Sequence, residues 1–224
     1  MTSVTHQSFF IAGPAGRLEA SLWTAPHPHP ALVAVVCHPH PMFGGTLHNK
    51  VVFHTARALH ARNVPVLRFN FRGAGLSEGA HDSGRGELED VRAALDYLGR
   101  EFPANQILLA GFSFGAWVGL RVGCGDPRVT ELIGLGIPVN SFDMGFLRAC
   151  AKSKLIIHGG DDQFGPREKV EALFAALPEP KRLVIVECAD HFLAGRLDEV
   201  RAAIEAWFDE RHPRSHAPTG PAPR

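Results

Sequence analysis

Short apolar runs alternate with longer amphipathic segments over most of the chain. Apolar runs of about four to eight residues are typical of buried strands, whereas longer amphipathic runs are typical of helices. Their alternation predicts an α/β fold, built from β-α-β units around a mostly parallel sheet with helices on both faces. The predicted strands span 8–12, 17–24, 31–37, 64–71, 106–110, 129–137, 154–158 and 182–187. The predicted helices span 46–62, 87–100, the segment directly after residue 113, 167–176 and 197–210.

The two ends of the chain depart from this alternation. The first two predicted strands are joined by the turn sequence G-P-A-G at 13–16, which predicts an antiparallel hairpin. The last stretch, 211–224, is rich in proline and lacks apolar periodicity, so we expect a disordered tail. We therefore predict one domain over residues 1–210, a length sufficient for a full hydrophobic core.

Composition argues against several classes of partner. The 224 residues carry 23 basic and 23 acidic side chains, so no excess charge favours nucleic acid or an anionic membrane. No apolar run approaches the ~20 residues of a membrane span, and the amino terminus lacks the pattern of a signal peptide. The four cysteines contain no C-x-x-C pair, and we expect Cys37 and Cys188 to be small buried thiols. These features predict a soluble cytoplasmic protein and leave a homodimer open.

The motif G-F-S-F-G at 111–115 follows an apolar run and leads directly into a predicted helix. A strand, a G-x-S-x-G turn and a helix make a nucleophile elbow, in which a strained turn raises the serine hydroxyl above the sheet. Glycines stand two positions from the serine because side chains there would collide in so tight a turn. Ser113 is therefore the predicted nucleophile.

A nucleophilic serine needs a histidine to take its proton and a carboxylate to orient that histidine. With such an elbow, serine, acid and histidine follow one another along the chain on loops after successive strands. Asp161 and Asp162 both follow the seventh predicted strand, and Asp162 fits the acid better because it stands at the loop apex, leaving Asp161 to bind backbone amides. His191 follows the eighth strand and is the predicted base, since no other histidine stands between the acid and the final helix. Its neighbour Asp190 is expected to be a loop or cap residue.

With the three residues in this order, the chain resembles the α/β-hydrolase superfamily over residues 8–210. The segments C-H-P-H-P-M-F-G-G-T at 37–46 and R-F-N-F-R-G-A-G-L-S-E-G at 68–79 look like its compact bacterial branch. Hydrolases with a lid commonly insert it between the strands that here flank 140–153, where this chain has room for one small helix. The resemblance thus implies an α/β-hydrolase fold without a large cap domain and a site open to solvent.

The resemblance also implies which backbone amides would hold the oxyanion of the reaction. One donor in this superfamily is the residue after the nucleophile, here Phe114, at a helix N-terminus whose dipole favours negative charge. The other comes from the loop after the third strand, where His40 matches the usual donor and Met42 is the alternative. Pro39 and Pro41 are excluded because proline has no N–H.

Two other segments suggest a bound group, but each is better explained without one. His27, His29, His38 and His40 form two i, i+2 pairs, but no cysteine, aspartate or glutamate completes a metal shell. The glycine-rich stretch 73–79 departs from G-x-G-x-x-G by one residue and opens no helix, so it resembles an ordinary turn of the superfamily. We therefore expect neither a metal nor a cofactor.

Several phenylalanines are expected at the carboxyl edge of the sheet, where they would form an apolar acyl or aryl pocket beside Ser113. The resemblance implies acyl transfer to the serine, so the predicted function is a carboxylesterase-like serine hydrolase acting on small or apolar-acyl esters. A thioesterase or amidase would use the same three residues, and a ligand-sensing protein on this fold is the alternative outside enzymes. The predicted partner is therefore a small-molecule ester or other acyl compound. The phenylalanines are Phe43, Phe114, Phe142, Phe146, Phe164 and Phe192.

Overall fold

The computed structural model describes residues 5–25, 27–29 and 31–213. Across this part of the chain, eight strands form one sheet: β1 (Thr5–Gly13), β2 (Gly16–Thr24), β3 (Leu32–Cys37), β4 (Val66–Phe69), β5 (Gln106–Phe112), β6 (Val129–Leu135), β7 (Ser153–Gly159) and β8 (Lys181–Val186). Their spatial order is β1-β2-β4-β3-β5-β6-β7-β8, and neighbours are parallel from β4 through β8. β1 and β2 form the predicted antiparallel hairpin at one edge. The predicted mostly parallel sheet is confirmed.

Helices cover both faces of this sheet, as predicted. On one face α1 (Lys50–His60) and α5 (Leu197–Arg211) pack against each other and against one hydrophobic core. On the opposite face α2 (Arg85–Glu101), α3 (Phe114–Gly125) and α4 (Arg167–Ala175) contribute to a second core. The sheet is therefore the middle layer of three, which is the arrangement that parallel strands require.

Strand β3 shows why the central strands read as continuous apolar runs. Val33 and Val35 belong to the core beneath α2 and α3, whereas Ala34 and Val36 belong to the core beneath α1 and α5. All four side chains are fully buried. Because successive side chains of a strand point to opposite faces, a strand covered on both faces leaves no position for a polar residue.

Helix α1 begins four residues later than the predicted start at residue 46. The side chain of Asn49 accepts hydrogen bonds from the N–H groups of Val51 at 2.9 Å and Val52 at 3.4 Å. These bonds satisfy two of the amides that have no acceptor within a helix, so Asn49 sets the beginning of the helix. The preceding residues instead turn along the edge of the sheet, with Asn49 N–H donating to the Thr46 carbonyl.

The predicted tail falls mostly outside the described residues, which end at 213. Helix α5 runs one residue beyond its predicted end, to Arg211, whose Nε lies 2.9 Å from Glu131 Oε1. His212 Nε2 lies 3.0 Å from the same oxygen. These contacts anchor the end of α5 to β6. Residues 214–224, the rest of the predicted tail, lie outside the described part.

Between β6 and β7 the chain forms one short 3-10 helix, Gly145–Ala149, and then returns to the sheet. The prediction that this connection is too short for a cap domain is confirmed. Among the described residues, no cap domain therefore covers the carboxyl edge of the sheet above β5, β7 and β8. Within the described ranges, none of the helices has both the length and the apolar character to cross a bilayer.

The two cysteines near this edge differ in exposure. Cys37, at the end of β3, is fully buried as expected. Cys188 is exposed, and its φ of 55° places it in a left-handed turn after β8. The expectation that both are buried is therefore wrong for Cys188, because the turn that leads from β8 to His191 faces solvent.

Candidate active site

Ser113 lies in the turn between β5 and α3, with φ of 55° and ψ of −119°. This conformation is strained for any residue with a side chain. The turn requires its two glycines: a Cβ on Gly111 would collide with the Gly115 carbonyl, and a Cβ on Gly115 would collide with the His38 carbonyl. Ser113 N–H donates to the Leu135 carbonyl at 2.9 Å, which ties the strained turn to β6.

The structure brings the three predicted side chains into one chain of contacts. His191 Nε2 lies 2.8 Å from Ser113 Oγ, and His191 Nδ1 lies 2.7 Å from Asp162 Oδ2. Asp162 and His191 are buried, at 3% and 4% exposure, so solvent screens their contact little. A carboxylate accepts only, so neutral His191 holds its proton on Nδ1 and leaves Nε2 to accept from the serine hydroxyl.

The backbone of the acid loop fixes the second carboxylate oxygen of Asp162. Its Oδ1 accepts the N–H groups of Phe164 at 2.8 Å and Gly165 at 3.2 Å. We expected Asp161 to bind amides of this turn, but Asp161 is exposed and Asp162 itself makes the bonds. An aspartate side chain commonly accepts the backbone N–H of the residue two positions later, which forms a turn. Phe164 stands two positions after Asp162 and donates to it in this way. One oxygen of Asp162 therefore holds the loop while the other faces His191.

A second histidine, which is not among the residues predicted from the sequence, supports the acid loop. His158, near the end of β7, is fully buried, and its Nε2 lies 2.5 Å from the Gly165 carbonyl oxygen. The same nitrogen lies 3.5 Å from Asp162 Oδ2. Burial lowers the pKa of His158, so its imidazole is neutral and donates to the carbonyl. Its signal in the sequence is a histidine placed four residues before the acid, at the end of a strand.

Two of the three predicted oxyanion donors lie beside Ser113. Phe114 and His40 line the same cavity as the serine, and within the described ranges their N–H groups have no hydrogen-bond acceptor. The first amides of a helix lack intrahelical acceptors, which explains the unpaired N–H of Phe114. The N–H of Met42 donates to His40 Nδ1 at 3.2 Å. The Met42 amide is therefore already engaged, and His40 is left as the better candidate.

His38 holds the loop that carries His40. Its Nε2 accepts the N–H of Phe71 at 2.9 Å, and its Nδ1 donates to the Pro39 carbonyl at 2.6 Å. Burial lowers the pKa of His38 to about 4, so the ring is neutral. Strand β4 ends at residue 69 rather than at the predicted 71, and the N–H of Phe71 donates to the His38 ring instead of to a neighbouring strand.

The histidine-rich segments are used for local structure. Both ring nitrogens of His38 bond to backbone groups, and His29 Nδ1 accepts the N–H of Ala31 at 3.3 Å. In residues 5–213, leaving out 26 and 30, no three histidine, cysteine, aspartate or glutamate side chains are placed to hold a metal ion. The predicted role of these histidines as turn and loop residues is consistent with their contacts.

A cavity of about 460 Å³ opens beside Ser113. Among the described residues that line it there is no aspartate, glutamate, lysine or arginine. Phe146 lies outside it, where the Arg121 guanidinium is 5.9 Å from the ring centroid. Phe43 is 86% exposed and Phe192 is 54% exposed, so aromatic rings surround a mouth that is open to solvent. The phenylalanines that line the cavity are Phe43, Phe114, Phe142, Phe164 and Phe192.

Similar proteins share this architecture. Residues 28–140 match the family described as serine aminopeptidase, S33. An uncharacterized protein of Rickettsia prowazekii is 35% identical over 208 residues, which cover 89% of this chain and 87% of the relative. An α/β serine hydrolase homologue from Coxiella burnetii is 38% identical with a TM-score of 0.83, and the match covers 89% of this chain and 96% of that one.

A serine hydrolase from Xanthomonas campestris, described as lacking a lid, is 32% identical with a TM-score of 0.86. The match covers 94% of this chain and 97% of that one. Sequence identity at this level over nearly the whole length of both proteins establishes a common family. The chain therefore belongs to the α/β serine hydrolases.

Proposed function

We propose that the protein hydrolyses carboxylic esters with small or apolar acyl groups through an acyl-enzyme formed on Ser113. The observation that supports this reaction is the chain of contacts from Ser113 Oγ to His191 Nε2 at 2.8 Å and from His191 Nδ1 to Asp162 Oδ2 at 2.7 Å. A hydroxyl, an imidazole and a buried carboxylate in this relation are suited to nucleophilic attack on an acyl carbon.

In the first half of the reaction, Ser113 Oγ attacks the ester carbonyl carbon while His191 Nε2 takes the hydroxyl proton. The imidazolium that results is stabilised by the Asp162 carboxylate, which stays ionised. The amides of Phe114 and His40 donate to the developing oxyanion at the N-terminus of α3. His191 then gives its proton to the leaving alkoxide, and the acyl group remains on the serine.

In the second half, His191 takes a proton from a water molecule, which attacks the acyl carbon. The tetrahedral intermediate collapses when His191 returns the proton to Ser113 Oγ, and the carboxylic acid is released. The open mouth of the cavity gives water direct access to the acyl-enzyme. Every proton in this cycle moves through one imidazole, so the reaction needs no further acid or base.

The lining of the cavity supports an apolar acyl or aryl group as the part of the substrate bound beside Ser113. The walls are predominantly aromatic side chains, prolines and glycines, and they hold no charged aspartate, glutamate, lysine or arginine among the described residues. Burial of apolar surface favours binding by about 25 cal/mol per Å². A volume of about 460 Å³ accommodates acyl groups of short to medium length or a substituted phenyl ring.

The proposal is tested with a fluorophosphonate probe, which forms a covalent bond with an activated serine. We expect mass spectrometry to locate the label on Ser113, and we expect Ser113→Ala to lose both the label and several orders of magnitude in kcat. Ser8→Ala is the matched control, because Ser8 is an exposed serine on the edge strand β1. Labelling of the Ser113→Ala variant, or its substantial residual turnover, would contradict the mechanism.

A panel of p-nitrophenyl esters, acyl thioesters and anilides then ranks the leaving groups. Highest kcat/KM on esters supports the proposal, and highest kcat/KM on thioesters or anilides would reassign the enzyme to a thioesterase or amidase with the same three residues. A labelled protein that binds such compounds tightly and turns over none of them would instead be a ligand sensor.

A further inference from the structure

A second cavity, of about 290 Å³, adjoins the catalytic cavity and shares Phe142 with it. The Phe142 ring stacks on the Trp117 ring with centroids 4.3 Å apart and planes 19° apart. It also lies 5.9 Å from the ring of Phe114, whose amide is a candidate oxyanion donor. Phe142 thus lies between the two cavities, and the second cavity begins one aromatic ring away from the first.

The second cavity carries positive charge, unlike the first. Arg148 and Lys169 line it, and neither forms an ion pair with any residue that the structure describes. Lys169 Nζ donates to the neutral amide oxygen of Asn140 at 2.6 Å. The acid of this lining, Asp143, accepts the N–H of Gly145 at 2.7 Å and offsets one of the two positive charges. One net positive charge remains.

Lys169 differs in this respect from a neighbouring cation on α4. Arg167, two residues before Lys169 on the same helix, pairs with Glu171 at 2.8 Å and with Glu187 at 3.0 Å. Arg167 is therefore neutralised by ion pairs, whereas among the described residues no carboxylate forms an ion pair with Lys169 or Arg148. An anionic oxygen at this position would gain charge-assisted hydrogen bonds without displacing an existing ion pair.

We propose that the second cavity binds a carboxylate group carried at the far end of an ester substrate whose reacting carbonyl lies at Ser113. The inference rests on the proposed ester hydrolysis and names a substrate class for it: esters with an apolar body and one anionic end. The apolar body occupies the uncharged catalytic cavity, and the carboxylate passes beyond Phe142 to Lys169 and Arg148. The acyl part or the alcohol part of the ester could carry that carboxylate, and the test separates the two.

The test compares two matched pairs of esters. In the acyl pair, the p-nitrophenyl monoester of adipic acid is compared with its methyl-capped form, which lacks the charge. In the alcohol pair, the acetate ester of p-hydroxybenzoic acid is compared with that of its methyl ester. The measured quantity is the ratio of kcat/KM for the anionic member to kcat/KM for the neutral member. We expect one pair to give a ratio above unity that falls with increasing ionic strength, because salt screens exposed charges.

Variants locate the charge preference. Lys169→Ala and Arg148→Ala should each lower the ratio about threefold, the effect of losing one exposed charge contact. Lys169→Glu should lower it further, since it adds repulsion. Arg57→Ala is the matched control, because Arg57 is an exposed cation on α1 that lines neither cavity, and its ratio should equal that of the wild type. Use of a ratio removes any effect of a variant on folding or on the active fraction.

Two results would overturn the inference. In the first, neutral esters are hydrolysed but neither anionic member is preferred, which leaves the proposed ester hydrolysis standing and removes the second subsite. In the second, the anionic ester is preferred, but Arg57→Ala lowers the kcat/KM ratio as much as Lys169→Ala does. The preference would then arise from the overall charge of the protein and not from the second cavity. If the wild type hydrolyses none of the four esters, the proposed function itself fails, and this inference fails with it.

Discussion

The buried imidazole of His158 lies 3.5 Å from the Asp162 oxygen that also contacts His191. The same His158 nitrogen lies 2.5 Å from the Gly165 carbonyl, while the Gly165 N–H bonds to the other Asp162 oxygen. The loop that carries the acid is thus closed on itself by one histidine that touches neither Ser113 nor the cavity beside it. We therefore expect His158 to act as a positioning residue for Asp162.

We expect His158→Leu to lower kcat by about tenfold or more with little change in KM, because a displaced carboxylate impairs proton transfer and leaves substrate binding intact. The variant also leaves the Gly165 carbonyl buried without a donor, which costs about 1–3 kcal/mol of stability. His158→Gln, which retains a donor, should recover part of kcat. Steady-state kinetics and urea denaturation measure the two effects, and a Leu variant with reduced stability but wild-type kcat would contradict the positioning role.

Asp162→Asn should lower kcat by about four orders of magnitude. The Phe164 and Gly165 amides fix one side-chain oxygen, so the asparagine NH₂ must face His191 Nδ1. The imidazole then carries its proton on Nε2 and can no longer accept one from the serine. Asp161→Asn is the control, since Asp161 is exposed and lies next to Asp162 in the chain. Equal kcat values for the two variants would show that Asp162 is not the acid.

Gly115→Ala should destabilise the protein by several kcal/mol, about the effect of severe overpacking. A Cβ at this position would overlap the carbonyls of His38 and Cys37, which are backbone atoms and cannot rotate away. Gly125→Ala, at the other end of α3, meets nothing within 4 Å and should be neutral or stabilising by up to about 1 kcal/mol. The melting temperatures of both variants measure this difference in stability. Equal melting temperatures would show that the turn around Ser113 can widen enough to accept a Cβ at residue 115.

Stability should fall as the pH drops from about 6.5 to about 4. Burial lowers the pKa of His38 to about 4 in the folded protein, against 6.5 for an ordinary histidine, so the unfolded chain binds one more proton within this window. The loss from His38 is about 3 kcal/mol across the window. His38→Gln, which keeps an acceptor for Phe71 N–H, should flatten the curve by that amount in urea denaturation at several pH values. Parallel curves for the two proteins would show that His38 protonates freely in the fold.

Phe43→Ala should reduce the preference for hexanoyl over acetyl esters. The Phe43 ring is 86% exposed at the mouth of the cavity, and each methylene it covers is worth about 0.8 kcal/mol. We expect a fall of about threefold to tenfold in the ratio of the two kcat/KM values. Leu76→Ala is the control, since Leu76 is 68% exposed and lies outside the cavity. Equal kcat/KM values of the wild type on the hexanoyl and acetyl esters would contradict the proposed apolar acyl subsite.

The order of elements was predictable because each depends on residues close together in the sequence. The elbow around Ser113 is specified by five consecutive residues, and the acid and histidine loops each follow an apolar strand. The hairpin, the parallel sheet and the lack of room for a cap follow from the spacing of apolar runs. Ser113, Asp162 and His191 could therefore be named before their contacts were known.

The supporting contacts could not be predicted, because they join residues that are distant along the chain. His38 accepts the N–H of Phe71, 33 residues later and two residues beyond the end of β4, and that bond holds the loop that carries His40. The exposure of Cys188 and the position of Phe146 outside the cavity likewise depend on how the loops pack against the folded sheet. A strand or a turn is encoded locally, whereas the choice of partner across a loop is decided by packing.

The uncovered rim above Ser113 has a kinetic consequence. In the part of the chain that the structure describes, no segment covers the aperture edged by Phe43 and Phe192. We therefore expect entry of an ester and departure of an acid to be limited by diffusion rather than by the opening of a lid. If the proposed acyl-enzyme forms there, water reaches it from the solvent, and a competing acceptor such as an alcohol or amine gains no advantage from a dry compartment. We therefore expect the proposed acyl-enzyme to be hydrolysed rather than to transfer its acyl group to another molecule.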